Sequence, residues 1–300
     1  MSAPRLPGAV AASLTARIKT YANETGQQYE RVQRRFVMGR FLARVFTADP
    51  DGWLLKGGTG MMVRLPQARY SKDIDIMSTS ACSDEEAYAS LRNAVRQHHI
   101  DPFAFELGPP HPISDGKGTR VTVVARLGAR QIDSFRIDLV SWQGVVGAVE
   151  EHSLPQAPRT DDFPDQPTIR LYPIADKLCA LYELRATTGS ATPSTRYRDL
   201  VDLLLISSHL QIDLAEAVAA TERQRQRRNQ MTLPAELASP APAWERSWAA
   251  AAADSPLPQG LHDYTEALAA AARCYLILQS LPDACAAATW NPSGQRWDTA

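Results

Sequence analysis

At 300 residues the chain has the length of two ordinary domains or one large one, and 44% hydrophobic against 22% charged residues excludes a disordered, collagenous or repetitive protein. A formal net charge of −1 excludes a whole-molecule field that would draw the chain onto nucleic acid or membrane, so any such contact has to come from a local patch. Cys82, Cys179, Cys274 and Cys285 are scattered without a CxxC pair, which excludes the common zinc patterns and suits a reducing cytoplasm better than a disulfide framework.

No apolar run approaches the roughly 18 residues of a membrane span; the alanine block Ala249–Ala253 comes nearest. The opening, Arg5 followed by Leu6-Pro7-Gly8-Ala9-Val10-Ala11-Ala12, faintly imitates an export signal. Ser13, Thr15, Arg17 and Lys19 interrupt it, and it reads as the start of a helix. From Val10 to Phe46 apolar residues recur at helical spacing, with Gly26 dividing two helices. Arg31, Arg34, Arg35, Arg40 and Arg44 crowd the second helix, as a solvated face or as a phosphate-binding surface.

Between Trp53 and Val140 the period changes. Trp53-Leu54-Leu55 reads as a strand running into Lys56-Gly57-Gly58-Thr59-Gly60, and Asp73-Ile74-Asp75-Ile76-Met77 alternates as a half-buried strand does. Glu85–His98 is an amphipathic helix; Thr119–Leu127 and Ile132–Val140 are strands joined at Gly128-Ala129-Arg130. The order predicts an α+β domain around a small mixed sheet. Pro155–Pro173, rich in proline and aspartate, reads as a linker or surface loop. Helices are then expected at Ile174–Leu184, Tyr197–Ser207, Leu214–Arg228 and Tyr264–Leu281, interrupted by the proline-rich piece Leu233–Pro242. The expected organisation is N-terminal helices over 1–50, a core over 51–154, the linker or loop over 155–173 and a helical C-terminal domain over 174–300.

Asp73 and Asp75 stand two apart on a strand and so share a face, while Ile74 and Ile76 enter the core. Paired carboxylates repel unless a cation joins them, and an all-oxygen donor set suits Mg²⁺. Asp138 lies on a second strand with the same alternation, as a third ligand or a base. Upstream, the glycines of Lys56-Gly57-Gly58-Thr59 let backbone N–H groups approach a triphosphate. The spacing is neither a Walker loop nor a Rossmann fingerprint. A solvated strand face and a simple turn are the plain alternatives for either motif alone.

These residues, together with Asp176-Lys177-Leu178-Cys179-Ala180-Leu181 and Arg196-Tyr197-Arg198-Asp199-Leu200-Val201-Asp202-Leu203, resemble the nucleotidyltransferase toxins related to AbiEii, which include the mycobacterial MenT toxins. The resemblance runs from about Leu14 to Trp248. It implies a polymerase-β-like nucleotidyltransferase domain followed by a helical half. It also implies phosphate contacts from Gly57, Gly58 and Thr59, with Lys56 and Ser71 beside them, and Mg²⁺ on Asp73 and Asp75. Lys177 and Asp199 complete the site. One departure stands out: Gly58 occupies a position where the wider superfamily usually has serine.

Lys177 falls at the edge of the apolar stripe Ile174, Leu178, Leu181, where its ammonium can neutralise a phosphate or merely snorkel. Asp199 and Asp202 lie one helical turn apart; Asp199 can position Lys177 or an arginine, act as a base, or form a structural ion pair. Ser71 precedes Asp73 by two and either turns the chain into the strand or offers a hydroxyl where added phosphate would silence the site. The histidines form no metal spacing. The expected function is transfer of a nucleoside monophosphate from an NTP to RNA, which the resemblance places at the tRNA 3′ end, under control of a cognate antitoxin and without a membrane. Basic patches for RNA are the first arginine group and Arg223, Arg225, Arg227 and Arg228. The alternatives are a protein hydroxyl as acceptor, or a non-catalytic RNA- or protein-binding module on the same scaffold.

Overall fold

A computed structural model of the chain describes residues 6–65, 68, 70–97, 100–113, 118–145, 148–154, 157–160, 163, 167–171, 176–187, 190–192, 194–280 and 287–299. The expectations for Arg5, His98, Pro155, Pro173, Ile174, Leu281 and Cys285 lie outside the described residues. The chain divides into two compact units, one of Met1–Pro66, Tyr70–Gly144 and Val149–Tyr172, the other of Gln67–Arg69, Val145–Ala148 and Pro173–Ala300. The N-terminal helices therefore share a unit with the sheet.

In the first unit α1 (Pro7–Thr25) starts on a proline and ends where Gly26 takes a left-handed φ of 66°. Its Val10, Leu14, Ile18 and Ala22 form one buried stripe. In α2 (Tyr29–Ala48) every residue from Phe36 to Phe46 is buried, as in a helix enclosed on all sides. This corrects the reading of its arginines. Arg40 and Arg44 are 0% exposed. They converge on the buried Asp101 carboxylate at 2.7 and 3.0 Å, and their guanidiniums lie over Phe163 and Phe105. Spacing of four residues puts both on one helical face, and the deep Asp101 carboxylate offsets charge on both. Arg34 pairs with Asp133 at 2.6 Å, and Arg31 lies over the Tyr70 ring.

The strands of this unit are β1 (Trp53–Lys56), β2 (Asp73–Ser78), β3 (Phe103–Leu107), β4 (His111–Pro112), β5 (Thr119–Leu127), β6 (Arg130–Val140), β7 (Glu150–Ser153) and β8 (Thr168–Leu171). Helix α3 (Gly57–Arg64) follows β1 directly, and α4 (Asp84–Gln97) follows β2. The sheet order is β3-β5-β6-β2-β1-β8-β7, with β4 beside β5. The β2–β6 and β1–β8 pairs are parallel and the others antiparallel, so the sheet is mixed and the fold is α+β, as expected. Ile74, Ile76, Val123, Phe135, Ile137 and Leu139 line the face that joins the helices in one core. β8 departs from the linker reading of 155–173. Its Ile169 and Leu171 are fully buried, and Leu171 pairs with Leu55 of β1. Four residues are too few for a periodic signal, and the parallel partner lies far away in sequence.

The second unit contains α5 (Asp176–Tyr182), β9 (Arg185–Thr187), β10 (Ser190–Thr192), α6 (Tyr197–His209), β11 (Ile212–Asp213), α7 (Leu214–Arg227), α8 (Ala243–Ala253), α9 (Tyr264–Tyr275), α10 (Ile277–Ser280), β12 (Ala288–Asn291) and β13 (Arg296–Thr299). Asp213 and Asp263 cap α7 and α9, accepting from the backbone N–H of Glu216 and Glu266. α8 has no counterpart among the expected helices. Its Trp244 and Trp248 lie one turn apart and are buried, and the Trp244 indole donates to the Ser194 carbonyl at 2.6 Å. The hairpin β12–β13, with Trp290 opposite Trp297, adds sheet to the expected helical C-terminal domain. Among the described residues no helix is long and apolar enough to cross a membrane.

Candidate active site

β1 delivers the chain into α3 with no intervening loop. Lys56 is extended, and Gly57 then turns with a φ of 61°. The first N–H groups of α3, at Gly57, Gly58 and Thr59, have no partner within their own helix and are the donors a phosphate requires. A Cβ on Gly57 would collide with the Asp75 carboxylate, so glycine is required for both conformation and space. At its far end α3 is tied to β7 by Arg64, which donates to Glu150 at 2.9 Å.

Register assembles the rest. Lys56 pairs with Asp75, Asp75 with Asp138, and Asp138 with Arg120, so one row across β1, β2, β6 and β5 reads cation, carboxylate, carboxylate, cation. Directly opposed residues point to the same face of a sheet. Asp73 and Asp75 share that face and are partly exposed, while Ile74 and Ile76 are buried on the other. The Asp138 carboxylate accepts from Arg120 Nε and Nη2, both at 2.7 Å. Hydrogen bonding to Asp138 raises the Arg120 pKa; its burial opposes this, and the charges of Asp138, Asp73 and Asp75 reinforce it.

Thr59 and Ser71 converge on one atom. Both hydroxyls donate to the Asp73 carbonyl, at 2.6 and 3.1 Å, and both side chains are buried. They tie the glycine turn and the approach to β2 together at the backbone of Asp73.

The family resemblance implies a divalent cation, and the donors can be tested against it. Asp73 and Asp75 supply hard oxygen ligands side by side on the partly exposed face of β2, so this pair fits Mg²⁺. Each oxygen of Asp138 already holds an Arg120 N–H. Among the described residues no group of three His, Cys, Asp or Glu is arranged to hold a metal ion.

In the second unit Lys177 of α5 is nearly buried, its Nζ donating to Asp199 at 3.1 Å and Asp202 at 2.7 Å. Arg196 reaches the other oxygen of Asp199 at 2.6 Å. Helical spacing on α6 puts Asp199 and Asp202 on one face. Asp202, left out of the expected site, is the closer partner of Lys177. Of the later arginines, Arg223 and Arg227 are exposed. Arg225 pairs with Glu222 and Arg228 with Glu183.

A glycine turn opening a helix serves phosphates, and neighbouring carboxylates serve the cation that accompanies them; together on an α+β sheet they suit a nucleotide-handling protein. A family model described as the nucleotidyl transferase AbiEii toxin of type IV toxin–antitoxin systems matches residues 40–270, and the chain belongs to that family. The match takes in Lys56, Asp73, Asp75, Asp138, Lys177 and Asp199. Among solved structures, the chain is similar to MenT4, a nucleotidyltransferase toxin from Mycobacterium tuberculosis H37Rv. Identity is 18% over 69% of this chain and 68% of that one, with a TM-score of 0.49. It is also similar to JHP933 from Helicobacter pylori, at 17% identity over 61% of this chain and 68% of that one, with a TM-score of 0.36. No curated protein matches the chain.

Proposed function

We propose that this toxin transfers a nucleoside monophosphate from a nucleoside triphosphate to RNA, at the 3′ end of tRNA. Translation is thereby blocked in the cytoplasm, with Mg²⁺ as cofactor and a cognate antitoxin as the controlling partner. The observation that carries the reading is the juxtaposition of Gly57, at the N-terminus of α3, with the Asp75 carboxylate on β2. A triphosphate needs donors and a cation within one diameter of each other, and these two residues sit in contact.

In this reading the N–H groups of Gly57, Gly58 and Thr59 hold phosphate oxygens, and Lys56 adds positive charge. Asp73 and Asp75 hold Mg²⁺, which neutralises charge on the triphosphate. The acceptor oxygen bonds to the α-phosphorus, the bond from that phosphorus to the bridging oxygen breaks, pyrophosphate leaves and the hydroxyl proton passes to water. Thr59 and Ser71 position Asp73. Asp138 orients Arg120 at the edge of the carboxylate pair.

The test incubates the protein with Mg²⁺, each α-labelled NTP, and either total tRNA or total protein. Label is expected in tRNA and is lost with Asp73→Ala or Asp75→Ala, which remove one of two repelling carboxylates and leave the fold intact. Label in the protein pool alone moves the acceptor to a protein hydroxyl. Label in neither pool makes the chain a binding module. Full activity in Asp75→Ala overturns the site.

A further inference from the structure

Beyond the paired carboxylates the same face of the sheet continues with cations. Arg136 stands opposite Asp73 in the β2–β6 register and opposite Thr122 in the β5–β6 register. Alternation places it on the Asp138 side, away from the buried Phe135, Ile137 and Leu139. It is exposed, and among the described residues its guanidinium enters no hydrogen bond or ion pair.

Arg120 lies diagonally across the β5–β6 pair from Arg136. Such diagonal neighbours are about 7–8 Å apart, a gap that long side chains span. Arg120 commits Nε and Nη2 to Asp138 and keeps Nη1, and its side chain is 41% exposed. Two neighbouring guanidiniums repel each other, and their planar donor forks match the oxygens of a phosphodiester, which would relieve that repulsion. Thr122, also exposed, adds a hydroxyl on the same face.

The placement gives direction. The glycine turn enters from β1, on one side of β2; Arg136 and Arg120 lie on β6 and β5, on the other. In-line phosphoryl transfer requires the attacking and leaving oxygens on opposite sides of the phosphorus. A triphosphate anchored at the turn therefore leaves the β6–β5 side to the acceptor.

We infer that Arg136 and Arg120 form the acceptor-phosphate site, gripping the terminal phosphodiester of a single-stranded RNA so that its 3′ hydroxyl reaches the carboxylate pair. This rests on the nucleotidyl-transfer reading and extends it to the acceptor. The surface is cationic over a few side chains only, which fits an RNA end and not a duplex.

The test uses the full chain and a 5′-fluorescent single-stranded RNA of about ten nucleotides with a free 3′ hydroxyl, comparing wild type, Arg136→Ala and Arg136→Lys. In Arg136→Ala the KM for this RNA is expected to rise on the order of tenfold while the KM for NTP is unchanged. The slope of log affinity against log salt falls by about 0.7, one single-strand counterion. Arg136→Lys restores the slope but only part of the affinity, because it lacks the planar fork. An unchanged RNA KM with an unchanged slope overturns the inference, as does an equal rise in KM for NTP. Wild-type enzyme that binds the oligonucleotide through Arg136 yet labels no RNA overturns the transfer reading and leaves the phosphate site standing.

Discussion

Gly57 faces the Asp75 carboxylate so closely that no side chain fits between them. Gly57→Ala must either push that carboxylate aside or pull the α3 N-terminus away from it, and its φ of 61° adds backbone strain of about 1–2 kcal/mol. Transfer activity should fall at least about 100-fold, as expected when reacting groups are displaced by an ångström. Gly60, three residues on, is the control. A Cβ there meets the Leu55 carbonyl oxygen at an ordinary 3.5 Å. Gly60→Ala should keep full activity and stabilise α3 by roughly 0.5–1 kcal/mol. Paired activity and denaturation measurements decide both.

The Lys177 cluster invites a different comparison. Removing Nζ takes a buried cation from two buried carboxylates, of which Asp199 keeps Arg196, so Lys177→Ala should lower stability by about 3 kcal/mol. Chemical denaturation of wild type and variant checks this. An unchanged midpoint would show that the ion pair contributes nothing to the fold of the second unit.

Asp101 answers two guanidiniums and is therefore the costlier residue to lose. Asp101→Ala leaves Arg40 and Arg44 both buried without their carboxylate, an expected loss of about 3–5 kcal/mol in chemical denaturation. Arg40→Met keeps the Arg44 pair and should cost markedly less. Since neither arginine reaches solvent, the salt slope of RNA binding in Arg40→Met should equal that of wild type.

The Arg64–Glu150 pair makes the anchoring of α3 sensitive to acid. Burial raises the Glu150 pKa, but hydrogen bonds from Arg64 and His152 outweigh it and hold the carboxyl below its ordinary 4.5. A depressed carboxyl stabilises the fold above its unfolded value, and that contribution disappears as pH falls through the folded value. Wild type should melt above Glu150→Gln at neutral pH, and the difference should close below about pH 4.5. A gap that persists in acid would remove the ion pair from the anchoring of α3.

Local chemistry makes much of this protein legible from its residues alone. Gly26 ends α1 where the helical period breaks, the strand–glycine–helix passage at Trp53–Gly60 has its own signature, and alternation in Asp73–Met77 puts both carboxylates on one face. Periodicity of 3.6 or 2 assigns each side chain a face of its own element, and those faces are set by neighbours only a few residues away.

Partners across the sheet are another matter. Nothing in the local pattern of Asp138 points to Arg120, nor does the spacing of Arg40 and Arg44 point to Asp101, which lies 61 and 57 residues further along. A charged helix face reads as solvated until a distant carboxylate makes its burial tolerable, and a four-residue strand such as β8 is invisible until β1 accepts it. Which residues share a face follows from the order of residues within each element. Which faces meet follows from the packed fold, because register and desolvation are settled between segments far apart in the chain.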